Sequence, residues 1–465
     1  MTATVLVEQR DTEQDLIADR IAGSFIGTAA ADALGWVTEF VRGRQHLQDL
    51  YGLDTVTNYR PWHKTSGGRF FGYRDDIGPG EYSDDTQLTL AIARSLEGDG
   101  ELDVEHFAKR ELPLWLDYSR GAGSTITHAA RCLSRRTTAW NRNFFSYTHR
   151  REKLLSWESG ANGAAMRVGP IALSNLRDRN RMVRGVWHSA IVTHGHPRAI
   201  LGALIYAEVI RRVALDHQGT ALRTVVEGVQ NDVAGWSVPD TAPLADWLRA
   251  RPDGTSSFMS LWERTKAEAQ DGLRLVLTTE PGYGKQTMEQ LGCFSPATRG
   301  SGLGTVFAGI LLALYSPDDL GRAVTAAINL LGSDTDTIGG FVGGILGARL
   351  GYRAIPIAWA HQLQDYEYLT RVSIEVARLV AGEGLGGKAV LPAPHIVEKD
   401  PPDLIRLLHS KQIDQGQAVY HELFGYGTVR SVESQPVRRQ GFRAYFAWVD
   451  FDLGQSCKFR YIKLA

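Results

Sequence analysis

Two acidic clusters carry the densest chemistry in the chain: Ser83-Asp84-Asp85-Thr86 and, far downstream, Ser333-Asp334-Thr335-Asp336-Thr337. Each opens an apolar, helix-like run. Neither contains Cys or His, and a set of carboxylate and hydroxyl oxygens favours a hard divalent ion (Mg²⁺, Mn²⁺ or Ca²⁺) over zinc. Four aspartates converging in a cleft repel one another by a few kcal/mol per pair at ~4–5 Å, even with an effective dielectric of ~20. Two divalent ions would offset that charge. Taken alone, each cluster reads as a helix N-cap, in which Ser or Asp accepts free N–H groups and stabilises the dipole. Taken as a pair, they read as halves of one metal site. Asp334 and Asp336 stand two apart, a spacing that splays side chains on a helix, which places them on the turn just before it.

The elements that must position these clusters are helical. From Leu16 to about Gly382 the apolar spacing follows the helix period, as in Ile17-Ile21-Phe25, Leu88 to Leu96, Ala190 to Val213, Val306 to Tyr315 and Leu320 to Leu331. Small residues recur along these runs, among them Ala29-Ala30-Ala31, Gly339-Gly340 and Gly343-Gly344, as close helix packing requires. The expected fold is a compact all-α body. Asn58 to Glu81 lacks periodicity and reads as a long, lid-like loop. Residues 1–15 read as an N-terminal tail, 16–385 as the catalytic domain and 386–412 as a Pro/Gly-rich linker. Over 413–465 the period changes to two, with three or four short strands and ten aromatic side chains, which predicts a small β-barrel. That tail carries seven basic and five acidic side chains and is only mildly basic.

The bulk numbers exclude more than they assign. Of 465 residues, 43% are hydrophobic and 22% charged, with a formal net charge of −1, so nothing global draws the chain to nucleic acid or an anionic membrane. Three scattered cysteines argue against a disulfide framework and for a reducing compartment. The N-terminus has no apolar signal region and no 18-residue apolar run occurs elsewhere, so the expected location is cytoplasmic, with no membrane partner.

Seven motifs in order resemble the ADP-ribosylglycohydrolase family from about Ile17 to Ala381. They are Gly27-Thr28-Ala29-Ala30-Ala31-Asp32-Ala33-Leu34-Gly35 followed by Glu39, Ser83-Asp84-Asp85-Thr86, Gly121-Ala122-Gly123-Ser124-Thr125, Gly160-Ala161-Asn162-Gly163, Thr193-His194-Gly195-His196-Pro197, Gly300-Ser301-Gly302, and Gly332-Ser333-Asp334-Thr335-Asp336-Thr337. The resemblance implies two Mg²⁺ or Mn²⁺ ions held by Ser83, Asp84, Asp85, Asp334, Asp336 and Thr337, and cleavage of a glycosidic bond to ADP-ribose. It makes Glu39, Asp84 and Asp336 the catalytic candidates. Ser83 replaces the commoner Thr and keeps the hydroxyl, while Ala31 replaces a common Gly and bears on packing. No ligand aspartate is missing, in contrast to inactive structural members of the family.

Gly121, Gly123, Ser124, Ser301 and Gly302 are expected at the diphosphate, since glycines let backbone N–H groups approach phosphate oxygens. Asn162, Gly163 and His194 are expected to contact the rest of the substrate. The expected partner is an ADP-ribosylated protein, most readily at arginine. Another ADP-ribosyl linkage, to serine or nucleic acid, and a non-catalytic ADP-ribose-binding scaffold are the alternatives. The segment around Phe424-Gly425-Tyr426-Gly427 is similar to the Tudor or SH3-like module of UvrD-type helicases, which implies a protein or nucleic-acid partner; packing on the body as a stabilising cap is the other reading.

Overall fold

The structure, a computed structural model, describes residues 2–382 apart from Arg150, Arg151, Pro281 and Tyr283, then Leu391 and 401–464. Most of the expected linker lies outside the described residues. Helix α1 (Thr2–Trp36) leads into a hairpin of β1 (Trp62–Ser66) and β2 (Tyr73–Ile77), followed by α2 (Asp84–Arg94). A second hairpin pairs β3 (Ser146–His149) with β4 (Glu152–Leu155), and then come α3 (Pro197–Leu215), α4 (Gly302–Tyr315) and α5 (Thr335–Leu350). Shorter and peripheral helices pack around these, so the body is helical as expected. The described end of the expected linker forms a helix, α6 (Leu404–Ser410), and the tail holds four strands: β5 (Ala418–His421), β6 (Gly425–Pro436), β7 (Phe442–Phe451) and β8 (Ser456–Leu464). Among the described residues no helix is long and apolar enough to cross a membrane.

The centre of the body is an antiparallel seam between α1 and α5. Gly23 meets Gly347, Gly27 meets Gly343, Ala31 meets Gly339 and Gly35 meets Thr335, each step four residues on both helices. A Cβ on Gly27 would sit 2.5 Å from the Gly343 carbonyl oxygen, so the backbones themselves are in contact. Hydroxyls finish the seam: Thr335 donates to the Gly35 carbonyl at 2.8 Å and Thr38 lies 3.1 Å from the Thr335 hydroxyl.

Four features differ from the sequence expectation. Residues 2–15 continue α1, and their sequence holds no Gly or Pro to stop a helix. The apolar run from Ala190 to Val213 is broken, because His196 caps α3 through its ring nitrogen and Pro197 occupies the first turn. The Asn58–Glu81 loop contains the β1–β2 hairpin, whose alternation is masked because β1 buries only Trp62 fully. Lastly, the tail is an open antiparallel sheet of order β5-β6-β7-β8, not a closed barrel. Its apolar face is already covered by the body, with Tyr118 against Phe424 and Phe459 at 5.1 and 5.8 Å, so closure has no further apolar surface to bury. The Phe-Gly-x-Gly turn does form there: Gly425 takes φ +73°, and Gly427 admits the Phe451 ring.

Candidate active site

The antiparallel seam brings the C-terminal end of α1 to the N-terminal end of α5. Glu39, just past α1, therefore stands with Asp334 and Asp336 so that one carboxylate oxygen of each lies within 4.8 Å of the others. Asp84 and Asp85, in the first turn of α2, line the same cavity of about 220 Å³. The capping explanation fails for Asp334, although Asp336 accepts the first-turn Thr337 N–H at 2.9 Å. Ser83 is the cap of α2, accepting the Asp85 N–H at 3.2 Å, and Asp334 stands at the cap position of α5 without accepting any cap bond. Instead Asp334 accepts from Asn162 Nδ2 at 2.8 Å, and the Thr337 hydroxyl bonds Asp85, tying the two clusters together.

Electrostatics mark this as a place that lacks positive charge. Burial, then Asp334 and Asp84, push Glu39 up to about 8 against the opposing pull of Lys64 and Arg299. Burial and Asp32 push Asp84 up to about 7, again against Lys64. Asp85 and Asp336 are raised well above the ordinary carboxylate range by burial and by their acidic neighbours. Five carboxylates crowded with all-oxygen donors fit hard divalent cations, whose charge would reverse these shifts.

Gly-rich loops complete the cavity. Gly121 adopts φ +87°, and a Cβ there would sit 2.6 Å from Asp84 Oδ1, so only glycine lets this turn lie against the cluster. Gly123 and Ser124 begin the ten-residue helix Ser124–Leu133 at the cavity wall, where free N–H groups point outward. Asn162, Gly163 and His194 also line the cavity. Burial and Arg167 push His194 down to about 3, so the ring is neutral; its Nδ1 lies 2.7 Å from the Thr193 hydroxyl. A larger groove of about 1170 Å³ adjoins the cavity and shares Glu39, Ser124, Thr125 and Ala161 with it.

Three candidates stand elsewhere. Ser83 is fully buried behind the cavity, its hydroxyl engaged as a cap. Ser301 lines the larger groove and caps α4. Gly302 has a packing position, since a Cβ on it would meet the Arg198 backbone of α3.

Sequence reasoning passed over Asp32, Lys64, Asp75 and Arg120. Asp32 is completely buried and accepts from Ser83 N, Thr86 N and the Thr86 hydroxyl, the last at 2.6 Å, which pins the Asp84-Asp85 turn to α1. Its place in the Ala31-Asp32 motif was the available signal. Lys64 acts electrostatically on Glu39 and Asp84 from β1 and lies 4.4 Å from the Trp36 ring. Burial alone would raise Asp75, but Arg120 and Lys458 outweigh it and hold the carboxyl below its ordinary value. Nothing in the local pattern of a hairpin strand announces such a pairing.

A profile of the family described as ADP-ribosylglycohydrolase matches residues 13–386. The ADP-ribosyl-[dinitrogen reductase] glycohydrolase of Rhodospirillum rubrum is 30% identical over 201 residues, which cover 42% of this chain and 58% of that protein. The ADP-ribosylarginine hydrolase Tri1 of Serratia proteamaculans (strain 568) is 24% identical over 362 residues, 76% of this chain and 78% of that one. A solved structure titled ADP-ribosylglycohydrolase-related protein complex superposes with a TM-score of 0.51 at 20% identity, covering 78% of this chain and 99% of its own. That last likeness concerns fold alone.

Proposed function

The chain belongs to the ADP-ribosylglycohydrolase family and is a glycosyl hydrolase by class, and from that premise we propose that it removes ADP-ribose from modified protein, with arginine as the preferred acceptor. The observation that carries this reading is the meeting of Glu39, Asp84, Asp85, Asp334 and Asp336 at one cavity between glycine-rich loops.

Asp84, Asp85, Asp334, Asp336 and the Thr337 hydroxyl would hold two Mg²⁺ or Mn²⁺ ions. Such ions, when bound, supply positive charge to the vicinal ribose hydroxyls and make a nearby water more acidic. Around them the chain's own residues divide the work. Glu39, set beside Asp334 and Asp336, is placed to accept a proton at its carboxylate next to the reacting centre. Asn162 keeps Asp334 oriented through its 2.8 Å bond. Gly121, Gly123 and Ser124 offer backbone N–H groups and a helix N-terminus to the diphosphate. His194, neutral, serves as a hydrogen-bond partner and not as an acid.

The larger groove takes the acceptor side. Arg42, Arg198 and Arg299 line it together with Glu152 and Glu158, so it presents charge of both signs to a modified side chain and its surroundings. For the tail, the reading is recruitment of a protein or nucleic acid by the solvent face, where Arg430, Arg438 and Arg439 are exposed. The free thiols Cys132, Cys293 and Cys457 suit a reducing cytoplasm.

The test is release of ADP-ribose from arginine-, serine- and nucleic-acid-linked substrates with Mg²⁺ or Mn²⁺, with chelator, and in Asp336→Ala. Release from the arginine substrate that falls on the order of 10²–10³-fold in the variant supports the reading. Binding of ADP-ribose without release from any substrate favours the scaffold alternative.

A further inference from the structure

We propose that the C-terminal sheet is a working part of the catalytic site: Lys458, through Asp75, sets where Lys64 and Gly121 stand against the acidic cluster. This rests on the reading of that cluster as a divalent-cation site. The sheet lies beyond the residues that match the family profile, whereas Lys64, Asp75, Arg120 and Gly121 lie within them.

Lys458 of β8 donates to Asp75 Oδ1 at 3.0 Å and to the Asp76 carbonyl at 3.3 Å, with both charged side chains over nine-tenths buried. Asp75 is shared three ways. Arg120 Nη2 lies 3.3 Å from the same oxygen, and Lys64 is the directly opposed residue across the β1–β2 ladder, on the same face. Two routes lead from this hub to the cluster. Along one, Lys64 lies 4.4 Å from the ring of Trp36, which closes α1 just before Glu39. Along the other, Arg120 pairs with Glu81, two residues before Ser83, and is joined by a peptide bond to Gly121, which abuts Asp84.

Aromatic rings brace the same joint. The Arg120 guanidinium lies 5.3 Å from the Trp36 ring at the end of α1 and 5.7 Å from the Trp448 ring of β7. Helix, hairpin and sheet therefore converge on one cation. Without the Lys458 ammonium, Asp75 draws on Arg120 and Lys64 alone, and the Gly121 turn and β1 lose a common support. Lys458, Asp75 and Arg120 are positioning residues in this scheme, since none of them lines the cavity.

Mn²⁺ binding by the full chain, measured by titration calorimetry beside melting temperature, tests this in four variants. Lys458→Gln is expected to weaken Mn²⁺ binding about tenfold, within the range for groups that orient metal ligands, and Lys458→Arg to restore it. Trp448→Leu, which spares the ion pairs, weakens it about threefold through the lost ring. Leu404→Ala, which empties buried space under α6 away from this path, lowers the melting temperature and leaves Mn²⁺ binding within about twofold. Wild-type affinity in both Lys458→Gln and Trp448→Leu overturns the proposal, as does equal weakening in Leu404→Ala. A wild-type chain that binds no Mn²⁺ overturns the cation reading and this proposal with it; one that binds Mn²⁺ normally yet releases no ADP-ribose overturns the hydrolase reading alone.

Discussion

Along the α1–α5 seam, glycine and alanine bring two backbones into contact with nothing between them; at the joint of hairpin and sheet, a backbone bond from the Arg438 N–H to the Gly72 carbonyl at 2.9 Å marks the edge, and rings and charges fill the rest of the gap. Both place ligand candidates. The seam sets Glu39 against Asp334 and Asp336, and the joint stands behind Gly121 and Lys64. The seam works by sterics, which salt and pH do not alter and which a single methyl group can violate. The joint works by balance among several charges, so it weakens by degrees. One molecule thus uses an all-or-none device for one half of its site and a graded one for the other.

That contrast can be broken first at the seam. Gly343→Val drives a side chain into the Gly27 carbonyl and is expected to cost more than about 4 kcal/mol, as overpacked cores do in the extreme. Thermal melting reads this out; a well-folded Gly343→Val protein would show that the seam has slack. Next in size, Lys458→Gln should cost about 3 kcal/mol by leaving Asp75 short of a buried partner, measured by urea denaturation. A loss near zero would show that Arg120 and Lys64 suffice.

A smaller effect sharpens the electrostatic side. Glu39 and Asp84 have folded-state values near 8 and 7, above their ordinary ones. The unfolded chain therefore gives up these protons first, so with chelator present the contribution of these two groups to stability is full below about pH 4 and is lost as pH rises through about 8. Excess Mg²⁺ or Mn²⁺ should flatten that fall, because cations favour the ionised forms. Melting curves from pH 5 to 8 that are flat in chelator would contradict the crowding. The smallest effect belongs to Arg430, half exposed and 4.7 Å from the Trp448 ring. Arg430→Ala should cost under about 1 kcal/mol, and a larger loss would mean that the joint extends to the sheet surface.

How much was legible follows the same division. Glycines at four-residue spacing on two helices, and acidic clusters at two helix starts, are local patterns, and local patterns survive in a sequence read without coordinates. The all-α body and the β-rich tail were visible for that reason. The joint was not, because Asp75, Arg120 and Lys458 are scattered polar residues whose pairing depends on tertiary approach. Burial inverted their ordinary meaning as surface charges. Closure of the tail into a barrel was the natural expectation for strands that must hide an apolar face on their own, and the helical body removed that need. Asp32 was visible as a letter in a motif but not as a buried acceptor of three hydrogen bonds, since hydrogen-bond demand on a turn 51 residues away leaves no periodic trace.

The seam also has a consequence for how the chain is made. Ser24 on α1 donates to the Gly344 carbonyl, 320 residues later in the chain, and the Gly23–Gly347 and Gly27–Gly343 pairs beside it are separated by a similar length of chain. At roughly 5–20 residues per second, α1 waits for some tens of seconds after leaving the ribosome before α5 exists to receive it. Through that interval its small-residue face has no partner, which makes the unfinished chain a natural client for chaperones. The acidic cluster cannot form before Asp336 has been made, so the mutual repulsion of its carboxylates arises only once the domain closes.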